Sequence, residues 1–171
     1  LWQKGPDESW KIALSQGLYQ ATVDSAKPNF RLKDRALMNA SEQTLLDADI
    51  DFPKYAARHG IAAAFHHFIA ADGIAAGSSG AAAATKKTYA RLMEEERKIK
   101  RNQVLKWKPT FSKLDRSHIF GYNLGPYTFT VIGKDGKKRI SKGYFFSIWR
   151  KSEKTGKWRF IYDGGNRISL R

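Results

Sequence analysis

Residues 120–150 read FGYNLGPYTFTVIGKDGKKRISKGYFFSIWR. Phe120, Tyr122 and Leu124 alternate with small or polar residues, and Tyr127, Phe129 and Val131 alternate after them. A period of two marks strands rather than helices. The aromatic phase slips by one residue at Gly125-Pro126, which predicts a β-bulge bending the strand. Asp135-Gly136 is a hairpin turn signal. Ile140 to Arg150 then makes a long strand with large groups on both faces: Tyr144, Phe146 and Ile148 on one, Phe145, Ser147 and Trp149 on the other. Before this stretch, Leu105, Trp107, Pro109 and Phe111 alternate with lysines. After it, Lys154-Thr155-Gly156 turns the chain into Trp158, Phe160 and Tyr162. Hairpin follows hairpin with no room for a crossover helix, so this part of the sheet is expected to be antiparallel.

Upstream the period is helical. Asn39 and Glu42 have capping-box spacing, and Leu45, Ala48, Phe52 and Ala56 follow at helical intervals to Gly60. Pro53 inside that pattern predicts a kink or a new first turn capped by Asp51. Ile61, Ala64, Phe65, Phe68 and Ile69 form the stripe of a second helix, ended by Gly73, with a short strand at Ile74–Ala76. A third helix is expected over about 84–98, with Tyr89, Leu92 and Met93 buried. Residues 1–38 lack sustained periodicity. Trp2, Trp10, Ile12, Leu14, Leu18 and Tyr19 suit one short helix in an extension preceding a domain at 39–171. The fold class expected is α+β: a curved antiparallel sheet, a cone or half-barrel, wrapped on three N-terminal helices.

A chain of 171 residues fits one domain, and 42% hydrophobic residues argue against disorder. There is no cysteine, hence no disulfide framework, thiolate metal site or cysteine nucleophile. No apolar run reaches the roughly 18 residues of a membrane helix. The net charge is +15, and residues 1–60 hold eight basic and eight acidic side chains, so the whole excess lies in 61–171. Such a field steers anionic partners, or simply solvates a lysine-rich face. The chain begins with Leu1, which is compatible with an upstream signal peptide. Export to a periplasm or the exterior is slightly favoured over a cytoplasmic location.

Trp107-Lys-Pro109, then Phe120-Gly-Tyr122-Asn-Leu-Gly125-Pro126-Tyr127, Lys142-Gly143-Tyr144-Phe145 with Trp149-Arg150, and Gly156-Lys-Trp158 ending in Asp163-Gly164 occur in an order that resembles the nuclear transport factor 2-like superfamily. The resemblance covers residues 39–168 and lies with small bacterial proteins of unknown function. Ketosteroid isomerases and SnoaL-like polyketide cyclases are distant relatives in that cystatin-like α+β group. It implies three helices under a curved sheet, a pocket at the open end of the cone and dimerisation through the sheet. It does not imply one chemistry. Where the isomerase-like enzymes place a tyrosine and acidic groups, no pair of acids can be matched here. Ala81–Ala84 also departs from the expected proline-rich loop.

Asp163 is the candidate acid or base, because a carboxyl among aromatic rings is held protonated more easily. The competing role is structural, with its oxygens on the amides of the Gly164-Gly165 turn. Trp107, Tyr122, Phe145, Trp149 and Tyr162 are expected to line an apolar pocket, with His66 as a polar group facing it. His66 and His67 are neighbours about 100° apart on a helix and cannot share a metal; no metal site and no cofactor is expected. Lys142 to Trp149 partly mimics an RNA-recognition strand, but Phe145 and Ser147 depart from it, so nucleic acid is not an expected partner. The expected function is small-molecule binding in an aromatic-lined pocket. The alternatives are an isomerase, cyclase or hydratase using Asp163 or a pocket histidine, and a polyanion or nucleic-acid binder. The twofold aromatic strand predicts a homodimer through the sheet.

Overall fold

The computed structural model describes residues 2–4, 7–12, 40–76, 83–98 and 102–168. In chain order the elements are β1 (Trp2–Lys4), β2 (Trp10–Ile12), α1 (Ala40–His59), α2 (Ile61–Phe68), β3 (Ile69–Ala76), β4 (Ala84–Thr85), α3 (Lys86–Arg97), β5 (Gln103–Trp107), β6 (Phe111–Leu114), β7 (Phe120–Ile132), β8 (Lys138–Lys151) and β9 (Trp158–Ile168). The main sheet runs β4-β3-β9-β8-β7-β5, with β6 also paired to β7. Three helices lie under an open, curved sheet, which is the α+β half-barrel expected. The hairpins from β5 to β9 are antiparallel, and β3 adds a parallel pair against β9.

Helix α1 buries Leu45, Asp49, Phe52 and Ala56, an i, i+4, i+7, i+11 stripe. Pro53 sits inside α1 without ending it. A proline has no N–H to give to the carbonyl four residues back, which is that of Asp49. The indole Nε1 of Trp107 on β5 donates to that carbonyl instead, at 3.3 Å. The helix thus passes through its proline by borrowing a donor from the sheet. Gly60, at φ 105°, separates α1 from α2, and Glu96 of α3 accepts the Ala62 N–H at 3.2 Å, capping α2 from outside.

Three sequence expectations are corrected. Helix α2 stops at Phe68, not Gly73: Ile69 takes extended dihedrals and begins β3. Alanines permit either structure, and pairing of Ile69 and Ile74–Ala76 with β9 makes this segment a strand. Trp2–Lys4 and Trp10–Ile12 pair as short antiparallel strands with Trp2 opposite Ile12, not as part of a helix; Leu14, Leu18 and Tyr19 lie outside the described residues. No bulge stands at Gly125-Pro126. The β7–β8 ladder runs unbroken from Phe120↔Arg150 to Ile132↔Lys138. The register shifts instead in β9, where Ile148↔Tyr162 is followed by Trp149↔Phe160 and Ile161 is extra.

The aromatic phase slip in β7 has another cause. On its first half the face toward the helices carries Gly121, Asn123 and Gly125, because neighbours come too close for side chains. A Cβ on Gly121 would meet the Leu45 and Leu114 side chains, and one on Gly125 would meet the Lys108 carbonyl. On the second half that face opens and carries Tyr127 and Phe129. Large residues therefore move from the outer to the inner face where the sheet leaves the helices.

The core follows from this layout. Leu45, Phe52, Ala64, Phe68, Ile69, Trp149 and Phe160 are fully or almost fully buried. Phe52, Trp107 and Phe145 stack in series, with centroids 4.2 and 4.7 Å apart.

Candidate functional site

A cavity of about 460 Å³ opens where β7 leaves the helices. Its walls are Phe65 of α2, Tyr89 of α3, Trp107 of β5, Tyr127 and Phe129 of β7 and Phe145 of β8. Ile61, Ala75, Ala76 and Leu105 add apolar surface, and Gln103, Ser141, Asp163 and Arg167 are its polar side chains. Phe65 and Tyr89 stack at 4.6 Å, so one wall is a rigid ring pair. This size and lining suit a small organic molecule.

Asp163 faces this cavity because Ile161 is extra in β9. The added residue sets Asp163 opposite Ser147 on the inner face, while Tyr162 stays opposite Ile148 on the outer. Asp163 is 7% exposed and its Oδ2 has no hydrogen-bond partner. Burial, and then the nearby charge of Asp49, push its carboxyl well above the ordinary carboxylate range. The burial raises the Tyr89 hydroxyl too, with a further push from Asp163.

Asp49 lies beneath, fully buried on α1. Trp149 Nε1 donates to Ser147 Oγ at 2.8 Å, and Ser147 Oγ donates to Asp49 Oδ2 at 3.4 Å. Oδ1 of Asp49 has no partner, and neither has Oδ1 of Asn123 beside it. Burial pushes the Asp49 carboxyl up to about 7 against the pull of these polar neighbours. Loss of water disfavours the charged form, and two orphan oxygens lack the donor that a proton on Asp49 supplies. The fold brings two buried carboxyls, from residues 114 positions apart, close enough for the charge of Asp49 to act on Asp163.

Of the residues expected at the site, Trp107, Phe145 and Asp163 line the cavity. Trp149 is fully buried in the core below its floor. Tyr122 and Tyr162 are on the outer face, in a row Phe111, Tyr122, Phe146, Tyr162 with centroids 5.7, 5.9 and 6.0 Å apart. Even phase in β7 puts Tyr122 there, and the extra residue Ile161 in β9 sets Tyr162 beside outward-facing Ile148. His66 is half-buried on α2 and does not line the cavity; its carbonyl accepts from Lys86 Nζ at 3.1 Å. Asp49 was missed, although an acid inside the stripe Leu45, Phe52, Ala56 is a readable signal of a buried carboxyl. Among the described residues no three histidines, aspartates or glutamates converge to hold a metal. No helix among them is long and apolar enough to cross a membrane.

No protein-family model matches the sequence, and no curated protein matches it. Solved structures do. A ketosteroid isomerase-like protein from Erwinia carotovora atroseptica superposes with a TM-score of 0.62 at 18% identity, over 78% of this chain and 100% of that one. A conserved protein from Planctomyces limnophilus gives 0.61 at 16% identity, over 77% and 98%. A nuclear transport factor 2-like protein with a cystatin-like fold from Novosphingobium aromaticivorans gives 0.61 at 12%, over 77% and 84%. The chain therefore has the nuclear transport factor 2-like fold, as its motif order resembles. At these identities the likeness concerns architecture and not chemistry.

Proposed function

We propose that the cone cavity binds a small, flat, largely apolar molecule that presents an oxygen to Asp163. One observation carries this reading: a cavity of about 460 Å³ walled by aromatic rings contains a buried carboxyl with an unpartnered oxygen. An orphan polar atom in an apolar site costs about 1–3 kcal/mol unless something pairs with it. Asp163 Oδ2 is itself covered, and a rotation of the carboxyl toward the cavity would let a ligand oxygen supply that partner. The test is calorimetric titration with 2-naphthol, whose ring fits between aromatic walls and whose hydroxyl reaches a carboxyl. Binding is expected in the native protein and lost in Leu105→Trp, which fills the cavity. No heat of binding in the native protein sinks the reading.

A second reading rests on Asp163 opening onto the cavity rather than being closed off by turn amides. A carboxyl whose ionisation is disfavoured by burial, set beside a bound carbonyl, is suited to proton transfer, as in an isomerase, cyclase or hydratase. Exchange of the α-hydrogens of a bound cyclic ketone with deuterated water, abolished by Asp163→Asn, is its signature; equal exchange in both proteins rules it out.

We infer also that the outer face pairs with a second copy of the chain. Phe120 is 40% exposed, and Tyr122, Tyr144, Ile148 and Tyr162 are half-buried around Phe146 on that face. The competing cover is the N-terminal strand pair, whose Trp2 stands with Phe120, Tyr122 and Ile148 around a hollow of about 140 Å³ but is itself 61% exposed.

A further inference from the structure

We propose that the ligand is an aromatic or alicyclic monocarboxylate, bound with its carboxylate on Arg167 at the mouth and an oxygen at its far end on Asp163. This rests on the cavity being a small-molecule site, and it fixes the charge and direction of the molecule.

The strand β9 sets the two polar ends. Its inward positions are Asp163, Gly165 and Arg167, opposite Ser147, Phe145 and Gly143 of β8. Four residues of strand separate Asp163 from Arg167, roughly 13 Å at 3.3 Å per residue. Asp163 is deep and closed to water, whereas Arg167 is exposed at the rim while still lining the cavity. Between them Gly165 carries no side chain, and a Cβ there would meet the Tyr144 carbonyl at 2.8 Å. The Tyr127 ring lies over this step, with its Cε1 3.6 Å from that same Cβ position. The result is a slot with an aromatic side, a carboxyl at the inner end and a guanidinium at the outer.

Charge decides which way an anion lies. The inner end around Asp163 is closed to water, and burial there already disfavours the charged form of its own carboxyl, so a ligand carboxylate would lose its hydration without gaining a cation. At the rim no described residue pairs with the Arg167 side chain. A guanidinium matches a carboxylate with two parallel hydrogen bonds. The surrounding field favours the same class, since the chain carries +15 and all of that excess falls in 61–171, which builds most of the cavity. A field of that sign raises the arrival rate of small anions and lowers that of cations.

The experiment compares two probes of one skeleton, 2-naphthol and 6-hydroxy-2-naphthoate, by calorimetry at low and physiological salt. The naphthoate is expected to bind roughly five- to tenfold tighter than the naphthol at low salt, with the gap narrowing as salt screens the pair. In Arg167→Gln that ratio should fall to near one. In Lys154→Gln, which removes a cation from the distant β8–β9 turn, it should persist. A native ratio at or below one overturns the proposal, as does a ratio that survives Arg167→Gln or falls equally in Lys154→Gln. In each of those outcomes 2-naphthol still binds and the cavity reading stands. If neither probe binds, the cavity reading itself has failed.

Discussion

Asp49 occupies a position that the α1 stripe would ordinarily give to leucine. Its carboxyl is pushed up to about 7 from the ordinary 3.8, chiefly by burial. The folded state therefore holds that proton more tightly than the unfolded chain does. This contribution to stability is complete below the unfolded value and declines as pH rises towards about 7, then levels off. A rise of that size corresponds to about 4 kcal/mol. Asp163 moves in the same direction, with burial and Asp49 as the causes. Urea midpoints are expected to fall between pH 5 and pH 8 in the native protein and to change much less in Asp49→Asn. Equal native midpoints at the two pH values would show that the buried carboxyl does not titrate as described. Trp107 offers a second measurement. Trp107→Phe keeps the ring stack but leaves the Asp49 carbonyl without its donor, at a cost of about 1–3 kcal/mol. In a Pro53→Ala background the helix recovers its own N–H, so the same change should cost clearly less. An unchanged cost in that double-mutant cycle would mean the indole is not replacing the missing backbone bond.

Glycines decide which face of β7 is crowded. Gly125→Ala drives a Cβ into the Lys108 carbonyl, and backbone has nowhere to move without parting β5 from β7. A loss of about 1–3 kcal/mol is expected. Gly136→Ala, in the open β7–β8 turn at φ +75°, meets no atoms and pays only for its dihedral, about 1 kcal/mol. Thermal denaturation of the two variants separates steric from conformational cost, and a larger loss at Gly136 would contradict the packing. These elements also show what was legible beforehand. The hairpins were readable because alternation and turn residues act locally. The phase slip at Gly125-Pro126 was visible, but its cause was not: an exchange of faces needs the helices and residues 108–109 in place. The end of β3 at Ile74–Ala76 was legible, but its first half was read as helix because Ile69–Gly73 has no local preference strong enough to outweigh its partner, which is some ninety residues away. For the same reason Trp107, Phe145 and Asp163 could be named as site residues, while Phe65, Tyr89, Tyr127, Phe129 and Arg167 could not; their convergence exists only once sheet and helices have closed on one another.

At the scale of the molecule, the outer face is where association is testable. Exposed apolar side chains cost about 1.5–3 kcal/mol each relative to full burial, and a second copy is the simplest cover. Light scattering at micromolar concentration is expected to give twice the chain mass, and Ile148→Lys to give a monomer. A native mass near 19 kDa would show the dimer inference wrong. A different consequence follows from where β9 lies in the sheet. It is the last strand in the described chain yet sits in the middle, between β3 and β8. Trp158 and Phe160 on it complete the core, and Asp163 completes the cavity. The strands β5 to β8 can pair among themselves, but β3 and its neighbour β4 cannot join that sheet until β9 arrives. Closing so long a loop is slow. Refolding should therefore show helical circular dichroism well before ligand-binding competence, and the amides of β3, though near an edge, should exchange with solvent about as slowly as those of β8.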